Sequence, residues 1–154
     1  MRSVRKLIAI VGMLLLVDGG AGAGELTPEE TVKAYLKAFQ TGDFSAAYPL
    51  VSQAMTQGKS REEWVKDQQL VMQVSEAKIL DFHVYPGKIE GDKAYVPNLL
   101  SSQDKFLNQL GVEEQELYTL VREEGRWKIN QQQIVESPDN RKWFPDAIEK
   151  KKGD

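Results

Sequence analysis

The chain has no cysteine and only one histidine, His83, in its 154 residues. No disulfide, thiolate metal site or lipidated cysteine is therefore available. A metal would have to be held by carboxylates alone, and no acidic loop has a calcium-binding pattern. Neither a glycine-rich phosphate loop nor a G-x-S-x-G elbow is present. No cofactor and no metal are expected. Positive charge is also in short supply: the net charge is −3. Nucleic-acid binding rests on basic patches, so nucleic acid is not an expected partner. The one basic run, Lys150-Lys151-Lys152, reads as a solvated chain end. There is no internal repeat and no low-complexity segment.

What is present begins with a leader pattern. Arg2, Arg5 and Lys6 precede an apolar run of 11 residues, Leu7 to Val17. Ala21-Gly22-Ala23 follows as a small-x-small cleavage site, the order of a secretory signal peptide. The run falls short of the ~20 residues of a membrane-spanning helix. An uncleaved anchor is the alternative, and cleavage after Ala21 also fits. Removal of residues 1–23 leaves 131 residues with a net charge near −5. That length suits one domain with one core. The expected location is outside the cytoplasm, in a bacterial periplasm, with no stable membrane span after cleavage. The expected division is a signal at 1–23, a domain at 24–136 and a tail at 137–154.

Thr27-Pro28-Glu29-Glu30 predicts a helix start: a threonine cap, proline at the first helical position and a glutamate closing a capping box. Val32, Tyr35, Leu36 and Phe39 recur at helical spacing, and Gly42 supplies the stop. Asp43 caps a short second helix, Phe44 to Val51. Ser60 and Glu63 form another capping box, opening a helix to about Gln73. Its expected buried side is Trp64, Val65, Gln68, Val71 and Met72. Strands follow. In the first, Leu80, Phe82 and Val84 share one face and Asp81, His83 and Tyr85 the other. Further strands are expected at Ala94–Ser102, with Pro97 implying an edge or a bulge, at Gln115–Glu123 and at Trp127–Val135. Gln103–Glu113 reads as a loop with one helical turn. Glu113, Glu114 and Glu116 read as solvated strand ends.

This order resembles the nuclear transport factor 2-like superfamily. The residues that carry the likeness are Thr27-Pro28-Glu29-Glu30, Tyr35-Leu36-Lys37-Ala38-Phe39, Gly42-Asp43-Phe44 with Ala47-Tyr48, and the closing hairpin of Tyr118-Thr119-Leu120-Val121 with Gly125-Arg126-Trp127-Lys128-Ile129. Within the superfamily the chain looks like the small secreted bacterial domains of unknown function. The resemblance implies an α+β cone, with N-terminal helices packed on a curved antiparallel sheet of about four strands and a pocket between them. The family spans isomerases, dehydratases, epoxide hydrolases, binders and structural adaptors, so fold does not decide function.

Two sets of residues are candidates for chemistry. Asp81, His83 and Tyr85 alternate on one strand, so an Asp–His pair with a tyrosine donor is conceivable as acid–base machinery. Their apolar neighbours claim the helix-facing side, which turns the set away from the pocket. The second set is aromatic: Tyr35, Phe39, Trp64, Phe82, Tyr95, Tyr118 and Trp127, which suit either an ordinary core or an apolar pocket edged by hydroxyls. Tyr85, Ile79 and the mixed faces of the Gln115–Glu123 strand predict that the outer sheet face is covered, by a second copy in a twofold dimer or by Trp143-Phe144 of the tail. Three functions follow: a non-enzymatic binder of a small apolar ligand or an envelope protein, an isomerase or lyase using Asp81 and His83, or a structural subunit of an envelope complex.

Overall fold

The structure, a computed structural model, describes residues 24–106, 111–136 and 142–144. Residues 1–23, where a signal is expected, Leu107 and Leu110, and most of the tail lie outside the described residues. Helix α1 spans Pro28–Thr41 and starts as its sequence predicts. The Thr27 hydroxyl accepts from the Glu30 amide at 3.2 Å, and the Glu30 carboxylate accepts from the Thr27 amide at 2.8 Å. Gly42, at φ 75°, closes the helix in the left-handed conformation.

The next segment breaks up more than expected. Asp43 caps α2, but α2 ends at Ala47 and a 3₁₀ turn carries Tyr48–Leu50. Pro49 cannot supply the amide that a continued helix needs. Ser52 then caps one further turn, α3, Gln53–Thr56, which is not apparent from periodicity. Helix α4 runs Arg61–Ser75 behind its capping box. Only Trp64 of this helix is buried. Val71, expected inside, is 59% exposed, beside Leu70 and Val74. The helix leans on α2 and the 3₁₀ turn rather than lying flat on the sheet, so its C-terminal half has little to bury against.

Five antiparallel strands form one sheet: β1 Lys78–Val84, β2 Lys88–Glu90, β3 Lys93–Gln103, β4 Val112–Glu123 and β5 Arg126–Ile134. The path is β1-β3-β4-β5, and β2 continues the edge of β3 beyond the end of β1. Pro97 therefore sits in a central strand and not at the sheet edge. It is tolerated because the edge partner is interrupted there: β1 ends opposite Asn98 and β2 begins opposite Tyr95. The Pro97 carbonyl accepts from the Tyr85 amide at 2.9 Å. Amide and carbonyl of one strand residue point the same way, so the donor that proline lacks faces this break. Gly87 fills the break. A Cβ on it would lie 2.8 Å from the Tyr95 carbonyl oxygen, and its amide donates to Glu29 of α1 at 2.7 Å.

Parity along β3 sorts the two faces. Ala94, Val96, Asn98 and Leu100 point at the helices and are buried, as are their partners Leu120, Tyr118 and Glu116 on β4. They meet Val32, Tyr35 and Leu36 of α1, Phe44, Trp64 and Ile129 in the main core. In β1 a bulge between Ile79 and Asp81 shifts the register. Ile79, expected outside, thereby joins Phe82 and Val84 against the core, whereas Leu80, expected inside, is 48% exposed. The outer face carries a second cluster: Leu117, Val135 and Phe144, with Tyr85, Tyr95 and Trp143 against it.

Candidate functional site

Between the second half of α1, the end of α4 and the concave face of the sheet lies an open cleft of about 190 Å³. Its apolar walls are Tyr35, Leu36 and Phe39 from α1, Met72 from α4, Ile79 from β1 and Leu100 from β3. Tyr118 and Gln132 close it from β4 and β5, and Lys78 stands exposed on its rim. The rings of Tyr35 and Phe39 are 4.5 Å apart, and Tyr118 meets Tyr35 edge-on at 6.2 Å. Such tilted pairs hold each other's orientation.

Behind Tyr118 and Gln132 lies the one buried carboxylate among the described residues, Glu116, 2% exposed. Its Oε2 accepts from Asn98 Nδ2 and from the Tyr118 hydroxyl, each at 3.0 Å. Its Oε1 accepts from Gln132 Nε2 at 2.6 Å. The four residues come from three neighbouring strands at matched register, Asn98 opposite Glu116 and Tyr118 opposite Gln132. Burial raises the Glu116 pKa; the three donated hydrogen bonds work against that shift, and Glu114 on the same face adds to it. Burial raises the Tyr118 hydroxyl too, with the Glu116 charge behind it. Tyr35 shifts upward for the same two reasons in the same order. Asn98 Oδ1 is buried and has no hydrogen-bond partner among the described residues.

The sequence-predicted residues divide. Tyr35, Phe39 and Tyr118 line the cleft. Trp64, Phe82 and Trp127 do not: Trp64 packs on Phe39 and Tyr48, Phe82 lies against the core from β1, and Trp127 carries the Arg122 guanidinium over its ring at 4.4 Å. Tyr95 is on the opposite face of the sheet, because its neighbours Ala94 and Val96 take the inner positions. There it stacks on Trp143 at 4.8 Å. Asp81, His83 and Tyr85 are likewise on the outer face. His83 is exposed and packs edge-on against Tyr85 at 4.5 Å, and among the described residues Asp81 bonds only its neighbour's amide, that of Phe82. Phe144 packs on Tyr85 at 6.1 Å, so the tail covers part of this strip.

Glu116 was not legible as a site residue, being grouped with the strand-end acids. The signal that finds it is parity: it lies two and four residues before Tyr118 and Leu120, on the face they bury. Among the described residues no group of three or more His, Asp or Glu is arranged to hold a metal ion, and no helix is long and apolar enough to cross a membrane.

Solved structures share this fold. A candidate ketosteroid isomerase from Shewanella frigidimarina aligns over 71% of this chain and 95% of its own, with 20% identity and a TM-score of 0.50. The fold is the nuclear transport factor 2-like cone. RPA3114 from Rhodopseudomonas palustris, a SEC-C motif protein, aligns over 71% of this chain and 80% of its own, with 13% identity and a TM-score of 0.54. Bd1075 of Bdellovibrio bacteriovorus aligns over 68% of this chain at 12% identity and a TM-score of 0.49, and this chain spans only 38% of its length. At these identities the likeness is one of fold. No protein-family model and no curated protein matches the sequence.

Proposed function

We propose that this protein is a non-enzymatic binding domain, working in a bacterial periplasm, whose cone takes up a small and largely apolar molecule. One observation carries the reading: the cleft between α1, α4 and the sheet is open and walled by Tyr35, Leu36, Phe39, Met72, Ile79 and Leu100, with few polar groups. Sites for small ligands have this make-up. An open cleft also speaks against a purely structural subunit, which gains nothing from unfilled space in its cone.

Native mass spectrometry of the protein, expressed from its own start and purified gently, tests the reading. A retained adduct that leaves on denaturation supports it and reveals the ligand's mass. A bare mass, together with no response to hydrophobic probes, turns the reading toward an envelope protein as the partner. The same spectrum reports cleavage near Ala23 and the oligomeric state. A homodimer through the outer sheet face has to accommodate Trp143 and Phe144, which lie on it.

A second reading, a small-molecule isomerase or lyase, is favoured by Glu116, a buried acid whose carboxylate accepts from a tyrosine hydroxyl at the cleft wall. Asp81 and His83, on the outer face, do not serve that chemistry. Deuterium exchange into a small cyclic ketone, catalysed by the protein and lost in Glu116→Gln, is the result that would favour it.

A further inference from the structure

We propose that the occupant of the inner cleft is a small organic cation, a primary amine on an aromatic or aliphatic body. The inference rests on the reading of the cleft as a binding site and adds the charge of what it binds.

Glu116 is the first ground. All three of its hydrogen bonds come from neutral donors, and no lysine or arginine pairs with it among the described residues. A buried carboxylate without a cation is costly, and neutral donors offset only part of that cost. The second ground is what those donors leave behind. Tyr118 spends its one hydroxyl proton on Glu116, so its oxygen can only accept from anything in the cleft. Gln132, exposed at the mouth of the cleft, turns its Nε2 to Glu116, which leaves its Oε1, an acceptor, without a partner among the described residues. Asn98 Oδ1, buried behind the cleft wall and outside its lining, is one more acceptor without a partner among the described residues. Glu116 thus fixes Tyr118 and Gln132 so that both turn acceptors toward the cleft, whose other polar lining groups are the Tyr35 and Ser102 hydroxyls and the Lys78 ammonium on the rim.

The walls agree. The rings of Tyr35, Phe39 and Tyr118 crowd the same end, and the ring face attracts ammonium groups. The charged and titratable groups around Glu116 are Tyr35 from α1, Tyr118 and Glu114 from its own strand, and Lys78 on the rim. Lys78 is exposed to solvent, and Glu114 faces the same side of the sheet. The volume, about 190 Å³, exceeds the roughly 150 Å³ that holds a benzene ring, leaving room for a short amine arm.

Three probes of one shape test this: 2-phenylethylamine, 2-phenylethanol and phenylacetate, titrated into the purified protein and followed by calorimetry and by NMR signals of Met72 and Ile79. The amine is expected to bind at least tenfold more tightly than phenylacetate, and more tightly at pH 7.5 than at pH 5. Glu116→Gln, which keeps the shape and removes the charge, is expected to weaken the amine at least tenfold and leave phenylethanol unchanged. Tyr118→Phe, which keeps the ring and removes the acceptor, is expected to weaken the amine several-fold, so the proposal stays testable if Glu116→Gln does not fold. Equal binding of amine and alcohol, or tighter phenylacetate binding through Lys78, overturns the cation and leaves the cleft as a binding site. No response to any of the three overturns both.

Discussion

The two faces of the sheet are buried by different means. The inner face is covered by helices that precede it in the chain, and it closes over Val96, Tyr118, Leu120 and Ile129 with no exposure at all. At its open end it keeps a carboxylate and a cleft. The outer face is covered in part by residues 142–144, which follow the sheet and bring two rings down on Tyr85 and Tyr95. The inner face is the foundation of the fold; the outer cover is a local patch on a finished sheet. Aromatic residues serve both, so their abundance does not identify a pocket. Tyr95 and Tyr118 look alike in the sequence, yet one stacks under the tail and the other lines the cleft.

Substitutions on the two faces should separate these roles. The largest effect is expected at Leu120→Ala, which empties a fully buried inner position and should cost about 3 kcal/mol in urea unfolding. A cost below about 1 kcal/mol would mean that the inner face is not the foundation. Glu116→Ala comes next: it strands the donors of Asn98, Tyr118 and Gln132, for a cost of about 2 kcal/mol. The charge of Glu116 has its own signature. Its pKa is raised in the folded state, so the folded protein holds the proton more firmly than the unfolded chain. That contribution is fully present below the ordinary carboxylate pKa and is lost as pH rises through the raised value. The urea midpoint of the native protein, set against that of Glu116→Gln, should therefore fall from pH 4 to pH 8; a constant difference would refute the shift.

On the outer face, Trp143→Ala removes one stacked pair and should cost about 1 kcal/mol, with a loss of near-ultraviolet circular dichroism. A cost equal to that of Leu120→Ala would erase the distinction between foundation and patch. The smallest effect is expected on α4: Val71→Ser should stay within about 0.5 kcal/mol, because Val71 is already in solvent.

How much of this was legible follows from the physics of each element. The caps at Thr27, Asp43 and Ser60 and the stop at Gly42 are local codes, and each stands where its residues put it. The faces of β3 and β4 follow from alternation. Alternation fails where the register shifts: the bulge at Ile79/Asp81 exchanged Ile79 and Leu80, and nothing in those side chains announces it. Val71 was misjudged because helical periodicity says which residues share a side, not whether a partner exists to cover it. Glu116 was missed for the opposite reason. Its charge suggested solvent, but three donors make its burial tolerable: Tyr118 on its own strand, and Asn98 and Gln132, which had drawn no attention, on the two neighbouring strands. Such a network is a property of the assembled sheet.

The break opposite Pro97 has a consequence for how this chain behaves in a crowd. A sheet edge with unpaired amides and carbonyls is a template on which another molecule can add a strand. Here one edge is interrupted by Pro86-Gly87 and kinked by the β1 bulge, so no long ladder is on offer. At the other edge, the Ile129 carbonyl already accepts from Ser52 at 2.8 Å, and β5 is bulged against β4 near Asn130. Both borders are blunted, which disfavours fibre-like growth in a protein that has no disulfide to hold it shut.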